Sequence, residues 1–95
     1  MERIKSAAIK YRLVNDPESD KIVEAFDHTY CRSWFMHAEI YPNQRILEVE
    51  EEGFVTDSGR FVNRIDAYNI AEAAGQLIST DMNRVLHSYQ VEYSK

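Results

Sequence analysis

The stretch from residue 53 to residue 64 brings together the side chains best suited to binding a ligand. Two arginines, Arg60 and Arg64, lie close in sequence to two aromatic residues, Phe54 and Phe61. A guanidinium can fork onto a phosphate, an aromatic ring can stack on a base, and the amides at a helix N-terminus favour an anion. The stretch therefore predicts a site for a small anionic ligand.

Further residues extend this predicted site. Thr56 and Asn63 add polar groups beside the arginines, and Arg84 lies in a later turn that can fold over the same place or over its symmetry mate. The candidate ligand-binding residues are Phe54, Thr56, Arg60, Phe61, Asn63, Arg64 and Arg84. The alternative interpretation is a common hairpin with an apolar inner face and solvated arginines.

The other reactive residue types do not form a catalytic or metal-binding set. His28, Cys31 and His37 offer too few donors for zinc, which takes four protein ligands in a structural site and three in a catalytic one. The acidic run from Glu48 to Glu52 could bind a divalent cation or act as an acid–base pair, but such runs are more often solvated strand ends. We therefore expect no enzyme activity, no metal and no cofactor.

The elements that must position the candidate site are an antiparallel sheet and a helix. Alternating apolar residues predict strands over 3–14, 46–50 and 53–56, and Asp57-Ser58-Gly59 predicts a hairpin leading to a return strand over 60–62. Asn63 is expected to cap a helix over 64–74 that Gly75 ends. The inner face of this helix is predicted to carry Ala67, Ile70, Ala71 and Ala74.

Two regions are less regular. Residues 15–20 have the chemistry of a turn, and we expect a short helix after it with Ile22, Val23 and Phe26 on its inner face. Residues 28–41 show neither a helical nor a strand period. A capped turn is expected over 79–86, followed by an irregular tail or a short edge strand. These elements predict an α+β fold, with a small antiparallel sheet and β-hairpin packed against one or two helices in a single domain over 1–95.

Size and charge exclude several classes of partner. The chain has 95 residues, a formal net charge of −5 and one cysteine, Cys31, which favours a reducing cytoplasmic setting. The acidic balance argues against double-stranded nucleic acid, and no apolar run is long enough for a membrane span. Because the domain is small and Trp34, Phe35 and Met36 are adjacent, we expect a homo-oligomer, either a dimer or a hexamer of dimers.

The motif Gly-Phe-Val-Thr-x-x-Gly-Arg-Phe-Val-x-Arg over 53–64, followed by Ala74-Gly75-Gln76, resembles the phage anti-Thoeris sponge family, the first of two Thoeris anti-defence types. Together with the opening residues 1–9 it covers about a third of the chain. The resemblance implies a non-enzymatic sponge in the host cytoplasm. Such a sponge sequesters glycocyclic ADP-ribose signals, and in some relatives cyclic oligonucleotides, without cleaving them.

Two rival functions stay open at the level of sequence. An acidic inhibitor could bind a host or defence enzyme through the face from Glu48 to Glu52. A small hydrolase would instead consume the nucleotide. A sponge differs from both because it releases intact nucleotide when it is denatured.

Overall fold

The computed structural model describes residues 1–14, 16–38 and 46–93, with the backbone alone at 34–38 and 46–50. The elements are β1 (Ile4–Leu13), β2 (Asp16–Ala25), α1 (His28–Ala38), β3 (Ile46–Thr56), β4 (Phe61–Asn63) and α2 (Arg64–Ala73), followed by a 3-10 turn at Ser88–Gln90. The four strands form one antiparallel sheet in the order β2-β1-β3-β4. The predicted small α+β fold with its hairpin and helices is confirmed.

Both helices pack on the same face of the sheet. Alternate residues of β1 point to that face: Ala7 lies in the cluster with α2, and Ile9 and Tyr11 lie in a second cluster with Cys31 of α1. Since successive side chains of a strand point to opposite faces, this parity places α1 and α2 in a single layer. The helices therefore leave the opposite face of the sheet without a helical cover in the described part of the chain.

The inner face of α2 agrees with the sequence pattern in most positions. Ala67 and Ala71 are buried against the sheet as predicted, and Ile70 packs at the edge of the same cluster. Tyr68 is also buried, which the pattern of small residues did not indicate. Its hydroxyl oxygen accepts a hydrogen bond from the Asp81 amide at 3.1 Å, so the ring can enter the core without leaving its polar atom unpaired.

The helix predicted after residue 20 is wrong, and the turn predicted over 15–20 does not cover 16–20, because residues 16–25 form the strand β2. This strand pairs with β1, with Ala25 opposite Ala7 and Lys21 opposite Tyr11. Val23 faces the cluster around Cys31, whereas Ile22 points the other way and is exposed. Pro17 lies near the start of this edge strand, where its missing N–H is tolerated.

The helix α1 occupies the region that showed no period in the sequence. It begins where the Asp27 side chain accepts a hydrogen bond from the Tyr30 amide at 2.9 Å. His28 and Cys31, three positions apart, are buried on its sheet-facing side. The predicted contact surface at 34–36 belongs to side chains outside those that the structure describes, as do residues 39–41.

A buried glutamine, Gln76, joins the segment that follows α2 to the first residue of β1. The Gln76 Oε1 atom accepts from the Ile4 amide at 2.8 Å, and its Nε2 donates to the Ile4 carbonyl at 2.8 Å. The predicted turn near Asp81 forms, since the Asp81 carboxylate accepts from the Val85 amide at 3.0 Å. This turn delivers Leu86 to the core, where it is fully buried.

Candidate functional site

The hairpin between β3 and β4 is closed by Thr56 and Gly59. Gly59 has φ of +85°, the left-handed conformation that a residue with a side chain rarely adopts. The Thr56 amide donates to the Arg60 carbonyl at 2.9 Å, and the buried Thr56 hydroxyl accepts from the Arg60 amide at 3.3 Å. Thr56 therefore holds the turn and has no surface left for a ligand.

The two aromatic residues of the motif lie on opposite faces of the sheet. Phe54 pairs with Val62, and both side chains are in the core beneath α2. The Phe54 side chain is fully buried and makes a T-shaped contact with His28, with 5.1 Å between the ring centroids, so it presents no face to a ligand. The buried position of Phe54 does not agree with the stacking role predicted for it.

Phe61 has a packing role on the other face. A Cβ atom added to Gly53 would lie 2.3 Å from the Val62 carbonyl oxygen and 2.7 Å from the Phe61 ring. The ring therefore fills the space that a side chain at Gly53 would need. The Lys10 ammonium lies 4.8 Å from the centre of the same ring, a cation–π contact. The Phe61 ring therefore lies on the face of the sheet opposite to the one that α1 and α2 cover.

Arg60 is held at the hairpin by the carboxylate of Glu2. Its Nη2 lies 2.5 Å from Glu2 Oε1, and its Nε donates to Oε2 at 3.2 Å. Hydrogen bonds from Arg60, and then from Thr56 and Ser58, lower the pKa of Glu2 to about 2. Both side chains are at the surface, with Arg60 58% exposed. Arg60 is thus a paired surface residue on the hairpin.

Arg64 is held much more firmly, at the first residue of α2. Its Nη1 donates to the Leu86 carbonyl at 2.9 Å and to His87 Nδ1 at 3.3 Å, and its Nη2 lies 2.5 Å from Glu52 Oε2. The side chain is only 22% exposed. It lines a cleft of about 310 Å³ together with Glu51, Glu52, Asn63, Ile65 and Val85. Of the three predicted arginines, Arg64 is the one that lines this cleft.

Glu52 joins α1 and α2 across the sheet. The sequence placed it in an acidic run interpreted as a solvated strand end and did not predict these ion pairs. Besides Arg64, Glu52 accepts a hydrogen bond from Arg32 of α1. Burial raises the pKa of Glu52, but the hydrogen bonds from Arg64 and Arg32 outweigh it, so the net shift is downward. Two guanidinium groups share this one carboxylate, which leaves the trio with a net positive charge.

Arg84 lies away from the other two arginines. It pairs with Glu72 at 2.7 Å and with Asn69 Oδ1 at 2.8 Å, and its guanidinium lies over the Tyr68 ring at 4.8 Å. Asn69 and Glu72 come five and eight positions after Arg64, which is roughly 7–12 Å along the helix axis. The predicted convergence of Arg64 and Arg84 on one site is therefore not seen within this chain.

Asn63 caps α2 as predicted. Its side-chain oxygen accepts from the Asp66 amide at 2.8 Å, and the residue also lines the Arg64 cleft. The cap leaves the other amides of the first turn pointing toward the cleft end of the helix. Asn63 and Arg64 are thus the two candidate residues that the fold brings together.

The reactive groups beneath α1 are packed into the interior. Burial raises the pKa of the Cys31 thiol to about 11, so at neutral pH it carries no thiolate to act as a nucleophile. Burial lowers the pKa of His28, whose Nε2 lies 2.8 Å from the Gly53 carbonyl oxygen. Among the described residues, no three His, Cys, Asp or Glu side chains are grouped to hold a metal ion.

Comparison with known proteins places the chain in a family. No helix in the described part is long and apolar enough to cross a membrane. No curated protein and no solved structure matches the chain. A family model described as "Phage T4 y16D protein" matches residues 3–91, nearly the whole sequence. The chain therefore belongs to the phage T4 y16D protein family.

Proposed function

We propose that this protein is a non-enzymatic binding protein that sequesters a small anionic cyclic nucleotide during phage infection. Membership of a phage family and the resemblance of residues 53–64 to the anti-Thoeris sponges support this proposal. The ligand that the resemblance favours is a glycocyclic ADP-ribose, with cyclic oligonucleotides as a second class. The observation that carries the proposal is Arg64, a half-buried guanidinium held in a cleft at the start of a helix.

The chemistry of this cleft suits a phosphate. Arg64 is already oriented by the Leu86 carbonyl, so little side-chain entropy is lost when it binds. The positive end of the α2 dipole lies beside it. Without a ligand, the Arg64 guanidinium donates a hydrogen bond to Glu52. Arg32 donates to the same carboxylate, so Glu52 keeps a partner when Arg64 turns one of its N–H groups to a phosphate.

The size and lining of the cleft favour a ligand site that two copies of the chain share. A volume of about 310 Å³ is at the lower end of the range for small-molecule pockets, which is enough for a diphosphate with part of a nucleoside. Neither Phe54 nor Phe61 lies beside this cleft to stack on a base. We propose that a second copy of the chain supplies the missing wall, in a dimer or in a hexamer built from dimers.

Mass spectrometry before and after denaturation tests the proposed function. The protein is incubated with a panel of cyclic nucleotides, washed and then heated. A sponge retains a nucleotide through the wash and releases it intact. A product that accumulates with time would show a hydrolase, and retention of no nucleotide would contradict sequestration. Light scattering on the same sample measures the mass, and a strict monomer near 11 kDa would contradict the shared pocket.

A pair of variants tests the role of Arg64. Arg64→Gln should weaken nucleotide binding by at least about tenfold, because a fork onto a phosphate contributes roughly 1.5–3 kcal/mol. Arg64→Lys keeps the charge without the fork and should recover part of the loss. The matched control is Lys21→Gln on the edge strand β2, which removes one positive charge far from the cleft. Equal affinity of Arg64→Gln and Lys21→Gln by calorimetry, with both variants folded, would place the site elsewhere.

A further inference from the structure

A second cavity, of about 320 Å³, lies where the start of α1 meets the 3-10 turn. It is lined by Phe26, Asp27, Thr29, Ser88 and Tyr89. None of these lining residues is a lysine or an arginine, whereas the first cleft contains Arg64. The second cavity therefore presents the carboxylate of Asp27 with no cationic side chain in its lining, which makes it unsuited to a phosphate.

Aromatic rings are exposed around this cavity to an unusual degree. Phe26, Tyr30 and Tyr89 are 63%, 59% and 74% exposed. Each is braced by another ring: Phe26 lies 5.0 Å from Tyr30 with a 42° tilt, and Tyr89 is stacked on His87 at 5.3 Å with only 5° between the planes. The bracing fixes their orientation and leaves the outer faces of the rings in solvent. Exposed apolar rings rimming a cavity are typical of a binding surface.

Asp27 supplies a negative charge within this aromatic rim. One of its carboxylate oxygens accepts from the Tyr30 amide at 2.9 Å, but a carboxylate has about four acceptor positions in all. The start of α1 contributes roughly half a positive charge, against the full negative charge of Asp27. The local field therefore stays negative and attracts a cation.

We propose that this cavity binds an arginine side chain presented by a protein partner. A guanidinium is planar, stacks on aromatic faces and forks onto a carboxylate, so it matches both features of the cavity at once. The net charge of −5 steers a basic partner toward the protein, and binding would cover the exposed rings. This inference rests on other residues than the proposed nucleotide cleft and does not depend on it.

The test uses the whole protein and matched probes. A Gly-Arg-Gly peptide, the same peptide with citrulline in place of arginine, spermidine and adenosine monophosphate are each titrated while NMR follows the ring protons. Citrulline has the shape of arginine without its charge. The arginine peptide should shift the Phe26 and Tyr89 ring signals and bind at least about tenfold more tightly than the citrulline peptide.

Variants then assign the binding to the cavity. Asp27→Asn keeps the helix cap, since Asn and Asp cap equally well, but removes the charge and should weaken the arginine peptide about tenfold. Tyr89→Ala should weaken it as well, and the control Asp20→Asn, which removes one charge on β2, should not. Equal binding of the two peptides, tighter binding of adenosine monophosphate, or tighter binding of spermidine would each overturn the proposal. So would an unchanged affinity in Asp27→Asn.

Discussion

Glu52 is a charged residue at a position where the sheet faces the helices. It lies opposite Ile9, whose side chain is in the buried cluster beneath α1. A carboxylate in that place needs compensation, and Arg32 and Arg64 supply it from two different helices. The ion pairs therefore link α1, β3 and α2 at one point.

Replacing Glu52 should cost more than replacing a carboxylate in a surface pair. Glu52→Gln leaves Arg64 half-buried with a weaker acceptor, and we expect the free energy of unfolding to fall by about 1–2 kcal/mol. The control is Glu72→Gln, which breaks the exposed pair with Arg84 and should have little effect. Urea unfolding of both variants makes the comparison. A larger loss for Glu72→Gln would contradict the structural role of Glu52.

Gly53 should tolerate no side chain. Gly53→Ala would force a Cβ atom against the Val62 carbonyl, which is backbone and cannot turn away, so we expect a loss of about 2–3 kcal/mol. Gly59→Asn is the comparison, because nothing lies within 4 Å of that position and Asn adopts a positive φ with less strain than most residues, so its loss should be smaller. Thermal unfolding should separate the two, and equal stability would show that β4 moves aside easily.

At the scale of elements, many residues of the motif over 53–64 form the β3–β4 hairpin and the start of α2. Gly53 allows close approach of β4, Phe54 and Val62 fill the core, and Gly59 makes the turn. The sequence could predict these elements because turn residues and alternating side chains act over a few positions. It could not show that the same residues are unavailable to a ligand.

The cap of α2 gives a direct test at this scale. Asn63→Ala removes the acceptor for the Asp66 amide and should lower the free energy of unfolding by about 1 kcal/mol. Asn63→Asp keeps an acceptor of equal quality and should be close to wild type. Denaturant unfolding of both variants checks it, and equal losses would mean that Asn63 acts through something other than the cap.

The errors of the sequence interpretation have physical causes. In β2, the residues Asp16, Pro17 and Glu18 have poor strand propensity, so pairing with β1 decides the structure rather than local preference. In α1, the inward side chains His28 and Cys31 are not typical apolar markers of a helix. The ion pairs of the site were unpredictable for another reason, since Arg60 and its partner Glu2 lie 58 positions apart.

At the scale of the whole molecule, stability should depend on pH through His28. Burial, the largest cause, lowers its pKa below the ordinary value of about 6.5, and Arg64 and Arg32 act in the same direction. The Gly53 carbonyl and Glu52 act in the opposite direction but do not cancel the effect. In the window between the folded pKa and about 6.5, the unfolded chain therefore binds a proton that the folded chain does not, and stability falls as the pH is lowered.

The matching measurement is the free energy of unfolding from pH 7.5 to pH 5. The wild type should lose stability below about pH 6.5, and His28→Gln should show a shallower slope. Val62→Ala is a control that destabilises the core without removing a titratable group, and it should keep the wild-type slope. An unchanged slope in His28→Gln would assign the pH dependence to other groups.

The position of β1 between β2 and β3 has a consequence for how fast the protein folds. Its pairing with β2 is local, but Leu13 lies opposite Ile46 and Ile4 lies opposite Thr56, so the central contacts join residues more than thirty positions apart. Such distant contacts slow folding, and for a domain of mixed helix and sheet we expect a rate between those of helical bundles and all-β proteins, which stopped-flow refolding can measure. A two-stranded hairpin of β1 and β2 is only marginally stable by itself. During synthesis, β1 can therefore complete its pairing with β3 only after residue 56 has been made. Until then the N–H and C=O groups along one edge of β1 stay unpaired and can bind the strand of another chain.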